Sequence, residues 1–328
     1  MKLNKEFLCC FLMHVFFITG YTVAQQPDTL SNKPDTVNRK TDTDGRQANF
    51  INAKAYTETT RISFPACFIL MGDDLKQQVT APFHQTSKQW IHIGIYAASV
   101  AAFSVALDEP IQRTATTIHN SSNAVAGISS AATNFGGKYE LYSLVALGGY
   151  GFIFNNKKLQ TTALLATQAY ITSGLIESIA KNITGRQRPL YNYPNATEAE
   201  PTFHGPAFSL GNNVYHKKIS TSFPSGHATV IFAVATVFAK QYNTTPWVPV
   251  VAYSAASLVG ISRITENKHW ATDVIVGATL GYLCGGQVVH NYHHYAKLKA
   301  DDKKGTLSFN LNYNGYNFEP GLTYTFRR

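Results

Sequence analysis

The sequence predicts an all-α fold: a six-helix core bundle followed by a short C-terminal β-hairpin. Three observations carry that expectation. Six apolar runs, at 89–107, 140–155, 159–180, 226–241, 246–262 and 271–290, are long and rich in Ala, Leu and Gly, which favours helices over strands. Apolar residues make up 45% of the 328 and charged residues only 14%, so a packed core is available and a disordered chain is excluded. Near the C-terminus, Leu307, Phe309, Leu311 and Tyr313 alternate with polar residues ahead of Asn314-Gly315, a hairpin pattern.

Each element follows in chain order. Residues 1–24 open with Lys2 and Lys5 and continue with an apolar stretch from Phe7 to Thr19. Small residues at Thr22-Val23-Ala24 complete the layout of a secretory signal peptide. The apolar stretch is short for a membrane span of about 20 residues. Residues 25–60 are polar, with Pro27-Asp28-Thr29 echoed by Pro34-Asp35-Thr36, and predict a disordered linker. The helical domain is expected over 61–300. Pro246, after Asn243-Thr244-Thr245, marks a helix start near 246. Two connections, 108–139 and 190–223, read as long loops, which in a compact domain are functional or disordered. The second carries Tyr191, Tyr193, Phe203, Phe208 and Tyr215, either a lid or ordinary loop packing. Residues 305–328 form the expected hairpin. One hairpin cannot make an outer-membrane barrel, which needs about eight strands.

Lys and Arg number 28 against 19 Asp and Glu, a net charge of +9 that suits anionic partners such as phosphates or a membrane surface. No aromatic–basic module supports nucleic acid as a partner. The mean hydropathy of −0.12 argues against a chain made mostly of transmembrane helices. Four cysteines exclude a disulfide scaffold. Cys9 and Cys10 would leave with the signal peptide. Cys67 and Cys284 remain and can pair in an oxidising compartment, although Cys284 sits in an apolar run and reads as a buried thiol.

Three short motifs carry the chemistry. The first runs from Lys181 to Arg188-Pro189, the second is Pro224-Ser225-Gly226-His227, and the third joins Ser262-Arg263 to His269 and Asp273. Lys181, Arg188 and Arg263 are fixed positive charges able to balance a doubly charged phosphate. Ser225 and Gly226 fall where a helix begins, and free backbone N–H groups there bind anions. His269 and Asp273 are four residues apart, so on a helix they share one face. The carboxylate can then hold one ring nitrogen and leave the other to attack. His227 is a second imidazole, available as general acid for the leaving alcohol. Singly, each of these is commonplace: a solvated charge, a packed histidine, a chance tetrapeptide. Their joint occurrence, in order and each at the mouth of an apolar helix, is not.

On these motifs the chain resembles the type-2 phosphatidic acid phosphatase/haloperoxidase superfamily, whose pattern is Lys-x6-Arg-Pro, Pro-Ser-Gly-His and Ser-Arg-x5-His-x3-Asp. Every patterned position is filled, and the resemblance covers roughly residues 85–295. It implies a six-helix core with the site at one end. His269 would attack phosphorus and become a phosphohistidine, oriented by Asp273, and His227 would protonate the leaving oxygen. Lys181, Arg188, Ser225, Gly226 and Arg263 would hold the phosphoryl oxygens, with no metal and no cofactor. Arg186 lies near the motif without being one of its positions, and reads as a supporting charge at best.

The expected activity is hydrolysis of a phosphomonoester, or of a lipid phosphate or pyrophosphate. The alternative is a vanadate-dependent haloperoxidase using the same anion pocket. The substrate is expected to be a phosphate-bearing lipid or small phosphoester, with the membrane surface as a further partner. A signal sequence would place the chain on the periplasmic side of the cell envelope. The Gln, Thr and Glu residues of the 159–180 run are unfavourable in lipid. Together these favour a domain that is soluble or membrane-associated at its surface over one in which all six runs cross, the alternative being an integral protein with fewer, more or re-entrant crossings.

Overall fold

The computed structural model describes residues 64–189, 202–206, 221–301, 305–313 and 318–326. The expected signal peptide and linker lie outside them, as do Tyr191, Tyr193, Phe208 and Tyr215. Among the described residues there are eight α-helices: α1 (Phe64–Thr80), α2 (Ser87–Ser121), α3 (Asn123–Asn134), α4 (Glu140–Ile153), α5 (Lys157–Thr184), α6 (Gly226–Gln241), α7 (Trp247–Thr265) and α8 (Ala271–Asp301). A single π turn, Phe135–Tyr139, joins α3 to α4. Strand β1 (Gly305–Tyr313) pairs antiparallel with β2 (Phe318–Phe326), with Leu307 opposite Tyr324 and Phe309 opposite Leu322.

Local chemistry sets several helix ends. Thr86 and Gln89 form a reciprocal capping box at the start of α2. The Asn156 side chain accepts from the N–H of Leu159 at 3.1 Å at the start of α5. Gly185 (φ +57°) ends α5 in the left-handed region, where a Cβ would lie 2.3 Å from the Gly205 carbonyl oxygen.

Each of the six apolar runs falls within or largely within a helix, but two further segments are helical as well. Residues 64–80 form α1. The stretch 108–139, read as a loop, continues α2 through Pro110 and then forms α3 and the π turn. The reason is physical: the inward face of this stretch is polar. Asp108 and Gln112 of α2 and Ser129 of α3 are buried, so the segment lacks the apolar periodicity that marks a packed helix.

α6 runs through the middle of the bundle. Ala233, Val234 and Val237 pack on Leu165, Ala166 and Ala169 of α5 and on Val288, Val289 and Tyr292 of α8. On its other side, Ile231, Phe232 and Ala235 meet Ala256 and Val259 of α7. α8 approaches α6 backbone to backbone along Gly277, Gly281 and Gly285, a small-residue stripe of the kind that lets helices come close. A Cβ on Gly281 would lie 2.1 Å from the Thr229 carbonyl oxygen, and one on Gly285 would lie 2.3 Å from that of Ala233. Cys284, on the same helix, is a buried free thiol.

The outer surface has the inverse of a water-soluble pattern. α5 buries Thr162, Gln168, Thr172, Ser173 and Glu177 and exposes Ile171, Leu175, Ile179 and Ile183. α2 buries Asp108 and Gln112 and exposes Trp90, Ile91, Ile95, Val105 and Ile118. Three helical stretches, Ser87–Ser121, Trp247–Thr265 and Ala271–His293, are long and apolar enough to cross a membrane. The polar residues that weighed against lipid in the 159–180 run therefore face the protein interior.

Gly281→Val forces a branched side chain into the α6 backbone and should destabilise the protein by about 2–3 kcal/mol or prevent folding. Gly94→Ala, where a Cβ meets nothing within 4 Å, should be neutral or mildly stabilising. Thermal unfolding of the two variants in detergent checks this, and equal melting temperatures would contradict the packing described.

Candidate active site

The site is assembled from four helix ends. Lys181 lies in the last turn of α5, and its Nζ is ion-paired to Glu177 one turn earlier. A Cβ on Gly226 would lie 2.8 Å from Glu177 Oε1 and 3.3 Å from Lys181 Nζ, so the bare glycine lets this pair sit against the start of α6. Beyond Gly185 the chain is extended. Arg186 bridges to Phe203, the Gln187 N–H donates to the Thr202 carbonyl at 2.9 Å, and Arg188 Nη2 donates to the Thr221 carbonyl at 3.1 Å.

Ser225 caps α6, and its N–H donates to the Asp273 carbonyl at 2.9 Å, tying the starts of α6 and α8 together. The Ser225 hydroxyl is fully buried and has no hydrogen-bond partner among the described residues. It stands beside the first N–H groups of α6, which by helix geometry lack intrahelical acceptors. Two residues on, His227 Nε2 would be 3.1 Å from a Cβ on Gly137, a glycine of the π turn.

Arg263 lies in the last turn of α7, with Nη1 donating to Thr133 Oγ1 at 3.2 Å and to Glu266 Oε2 at 3.1 Å. The chain then turns through Asn267 (φ +59°), and the His269 N–H returns to the Arg263 carbonyl at 3.2 Å. His269 is buried. Its Nδ1 lies 2.8 Å from the Ser222 carbonyl oxygen and 3.5 Å from Asp273 Oδ2. A carbonyl can only accept, so Nδ1 carries the proton and Nε2 keeps its lone pair.

Two expectations change here. His269 precedes α8, which starts at Ala271, so it does not share a helix face with Asp273. The shorter imidazole contact is to the Ser222 carbonyl, with Asp273 Oδ2 farther off at 3.5 Å, and the Asp273 carboxylate also organises what surrounds the ring. Its Oδ2 accepts from Ser222 Oγ at 2.5 Å and from the Trp270 N–H at 2.9 Å, while Oδ1 accepts from Arg186 Nη1 at 2.5 Å. Arg186, read as a supporting charge at best, is fully buried and bridges Asp273 to Asp108 on α2. The sequence carried one usable signal for Asp108, an acid closing the otherwise uncharged 89–107 run, and none for Ser222. Phe203, the one of the five loop aromatics named from the sequence that is described, packs on the Arg186 guanidinium at 4.8 Å and on Phe223.

Burial, reinforced by the positive charges of Arg263, Lys181 and Arg188, pushes His227 down to about 4. The charges of the three motif cations, carried by separate elements, thus all bear on one ring. Burial also pushes His269 down to about 3; Arg188 and Lys181 add to this, and Asp273 opposes it. Both rings are neutral at neutral pH. The arrangement offers a neutral imidazole with an available lone pair, a second imidazole among cations, and hydroxyl and N–H donors at a helix N-terminus. A phosphate dianion among the cations would offset the charges that hold His227 down, and so favour its protonated form.

Parts of the chain are similar to known proteins. Residues 162–297 match the PAP2 superfamily. That segment starts in α5 and ends in α8, and it contains all three motifs. The chain is 49% identical over 67 residues to a lipid A 1-phosphatase of Porphyromonas gingivalis, covering 20% of this chain and 15% of that protein. It is 28% identical over 200 residues to phosphatidylglycerophosphatase B of Bacillus subtilis, covering 58% and 85%. Among solved structures, the LpxE of Aquifex aeolicus superposes with a TM-score of 0.42 at 21% identity, covering 56% of this chain and 95% of that one. The chain spans less than two thirds of the length of most curated relatives it matches.

The two depressed histidines set a pH dependence. In the unfolded chain both titrate near their ordinary value of about 6.5, and in the folded protein near 4 and 3. Between those limits the unfolded state binds more protons, so stability falls as pH drops from about 6.5 towards 4. Melting temperature in neutral detergent should fall across that window. The fall should be shallower in a His227→Asn/His269→Asn double variant, and identical slopes would contradict the burial of these rings.

Proposed function

We propose that the chain is a membrane-embedded phosphatase that hydrolyses a lipid phosphate or pyrophosphate through a phosphohistidine on His269, without a metal. The observation that carries this reading is that Lys181 Nζ lies against the start of α6 at Gly226 and bears with Arg188 and Arg263 on His227, while a buried His269 has its proton fixed on Nδ1. The relatives named as lipid A 1-phosphatase and phosphatidylglycerophosphatase B support a lipid phosphate as substrate class.

In this reading the phosphoryl oxygens lie among Lys181, Arg188, Arg263, the Ser225 hydroxyl and the N–H groups at the start of α6. Fixed donors in a water-poor site stabilise the charge of the transition state. His269 Nε2 attacks phosphorus, the ester P–O bond breaks, and protonated His227 delivers its proton to the leaving oxygen. Water then attacks the phosphohistidine. Neutral His227 accepts the water's proton, the P–N bond breaks, and inorganic phosphate leaves with both rings restored. Gly137 keeps the space beside His227 Nε2 open for the leaving group.

The membrane setting rests on the inverted surface of α2 and α5 and on the three span-length helices. An export signal over 1–24 and a site facing the periplasm complete the proposal, with the polar segment 25–60 as a tether. The haloperoxidase reading is not favoured, because the curated relatives reported above are named as phosphatases.

Phosphate release from detergent–lipid micelles tests the reading. His269→Ala should lose at least ~10³ in rate, and retention of more than a tenth of wild-type activity would contradict it. In the same assay His227→Ala should slow an alkyl phosphate more than nitrophenyl phosphate, whose leaving group needs little protonation. Equal losses on the two would remove His227 from the acid role.

A further inference from the structure

The buried charges behind His269 reach beyond the three motifs. Asp108 lies on α2, outside the motifs and outside the 162–297 segment. It is fully buried. Its Oδ1 accepts from the Thr272 N–H at 2.9 Å. Its Oδ2 accepts from Thr272 Oγ1 at 2.5 Å, Arg186 Nη2 at 2.6 Å and Ser104 Oγ at 2.8 Å. The Arg186 guanidinium is held at both ends, by Asp108 through Nη2 and by Asp273 through Nη1, and Nη1 also donates to Thr272 Oγ1 at 2.7 Å. Phe203, Trp270 and Phe223 surround it at 4.8, 5.6 and 5.9 Å.

α2 holds the other side of the nucleophile loop too. Gln112, one turn beyond Asp108, donates through Nε2 to Asn267 Oδ1 at 2.7 Å, two residues before His269. One helix therefore grips the chain on both sides of His269, at Asn267 and at Thr272.

We propose that Asp108 and Arg186 are positioning residues for the nucleophile. Asp108 fixes the guanidinium, the guanidinium fixes the Asp273 carboxylate, and that carboxylate with Ser222 sets the His269 ring. A buried ion pair is a poor source of net stability, since apolar residues of equal volume often serve as well. A planar fork between two carboxylates instead gives direction, which a lysine cannot reproduce. Asp108 touches neither substrate nor ring, and acts only through Arg186 and Thr272.

The inference rests on the reading that His269 attacks phosphorus, and one assay separates the two. Asp108→Asn keeps the size and an acceptor for the Thr272 N–H while removing the charge. Phosphate release from micelles should show kcat lowered about 10–100-fold, the scale of a slightly misplaced reacting group. KM and the inhibition constant of inorganic phosphate should stay within about threefold, because the cations of the anion pocket are untouched. A folded Asp108→Asn protein with wild-type kcat overturns the inference, and so does a loss that vanishes when activity is expressed per folded molecule. If this variant does not fold, Thr272→Val removes the hydroxyl bridge without stranding an ion. It should lower kcat about 3–10-fold at constant KM, the equivalent of one hydrogen bond. An unchanged kcat there also overturns the inference. Failure of the underlying reading looks different: wild type and His269→Ala would then release phosphate equally.

Discussion

A carboxylate without water must find its donors in the protein, and at Asp273 that requirement organises the end of the bundle. Its two oxygens take the Arg186 guanidinium, the Ser222 hydroxyl and the Trp270 N–H. Its own backbone carbonyl takes the N–H of Ser225. Each donor belongs to a different stretch of chain, so satisfying one side chain draws together the segment after α5, the approach to α6 and the start of α8. Once these are in place, the Ser222 carbonyl has little choice but to face His269 Nδ1. The tautomer of the proposed nucleophile thus follows from the satisfaction of a buried acid one turn away.

The medium outside the bundle explains the division of labour within it. Where the surroundings are apolar, polar side chains turn inward and must be paired there. α5 shows this along its length, with isoleucines and leucine outward and Thr, Gln and Glu inward, ending at the Glu177–Lys181 pair beside Gly226. α6, by contrast, is packed on all sides and serves as the rigid post for Ser225 and His227. The glycine stripe of α8 brings the two posts close enough for Asp273 to be hydrogen-bonded to the residue that caps α6.

Much of this is local in sequence and was therefore legible. The six apolar runs announce their helices, and the start of α7 at Trp247 lies next to the expected 246. Lys181, Arg188, Ser225, Gly226, His227, Arg263, His269 and Asp273 sit in short motifs whose spacing reflects helix ends. What escaped is what depends on distant partners. Asp108 meets Thr272 across 164 positions, and Arg186 takes its meaning only from the two acids it bridges. The helices within 108–139 escaped because their inward faces are polar, so apolar periodicity is silent there. The His269–Asp273 spacing suggested a shared helix face, yet the turn through Asn267 keeps His269 ahead of α8. Nothing in the sequence foretold that a backbone carbonyl would take the imidazole proton.

The central claim is that phosphorus becomes bonded to one particular nitrogen. Rapid quenching of the working enzyme with alkali, followed by peptide mass analysis, tests it most directly, because a phosphohistidine survives base and is lost in acid. The account requires a single phosphoryl group on the peptide containing His269, stable to alkali and removed by mild acid. A turning-over enzyme that never carries phosphate on that peptide, or carries it on another residue, would contradict the account.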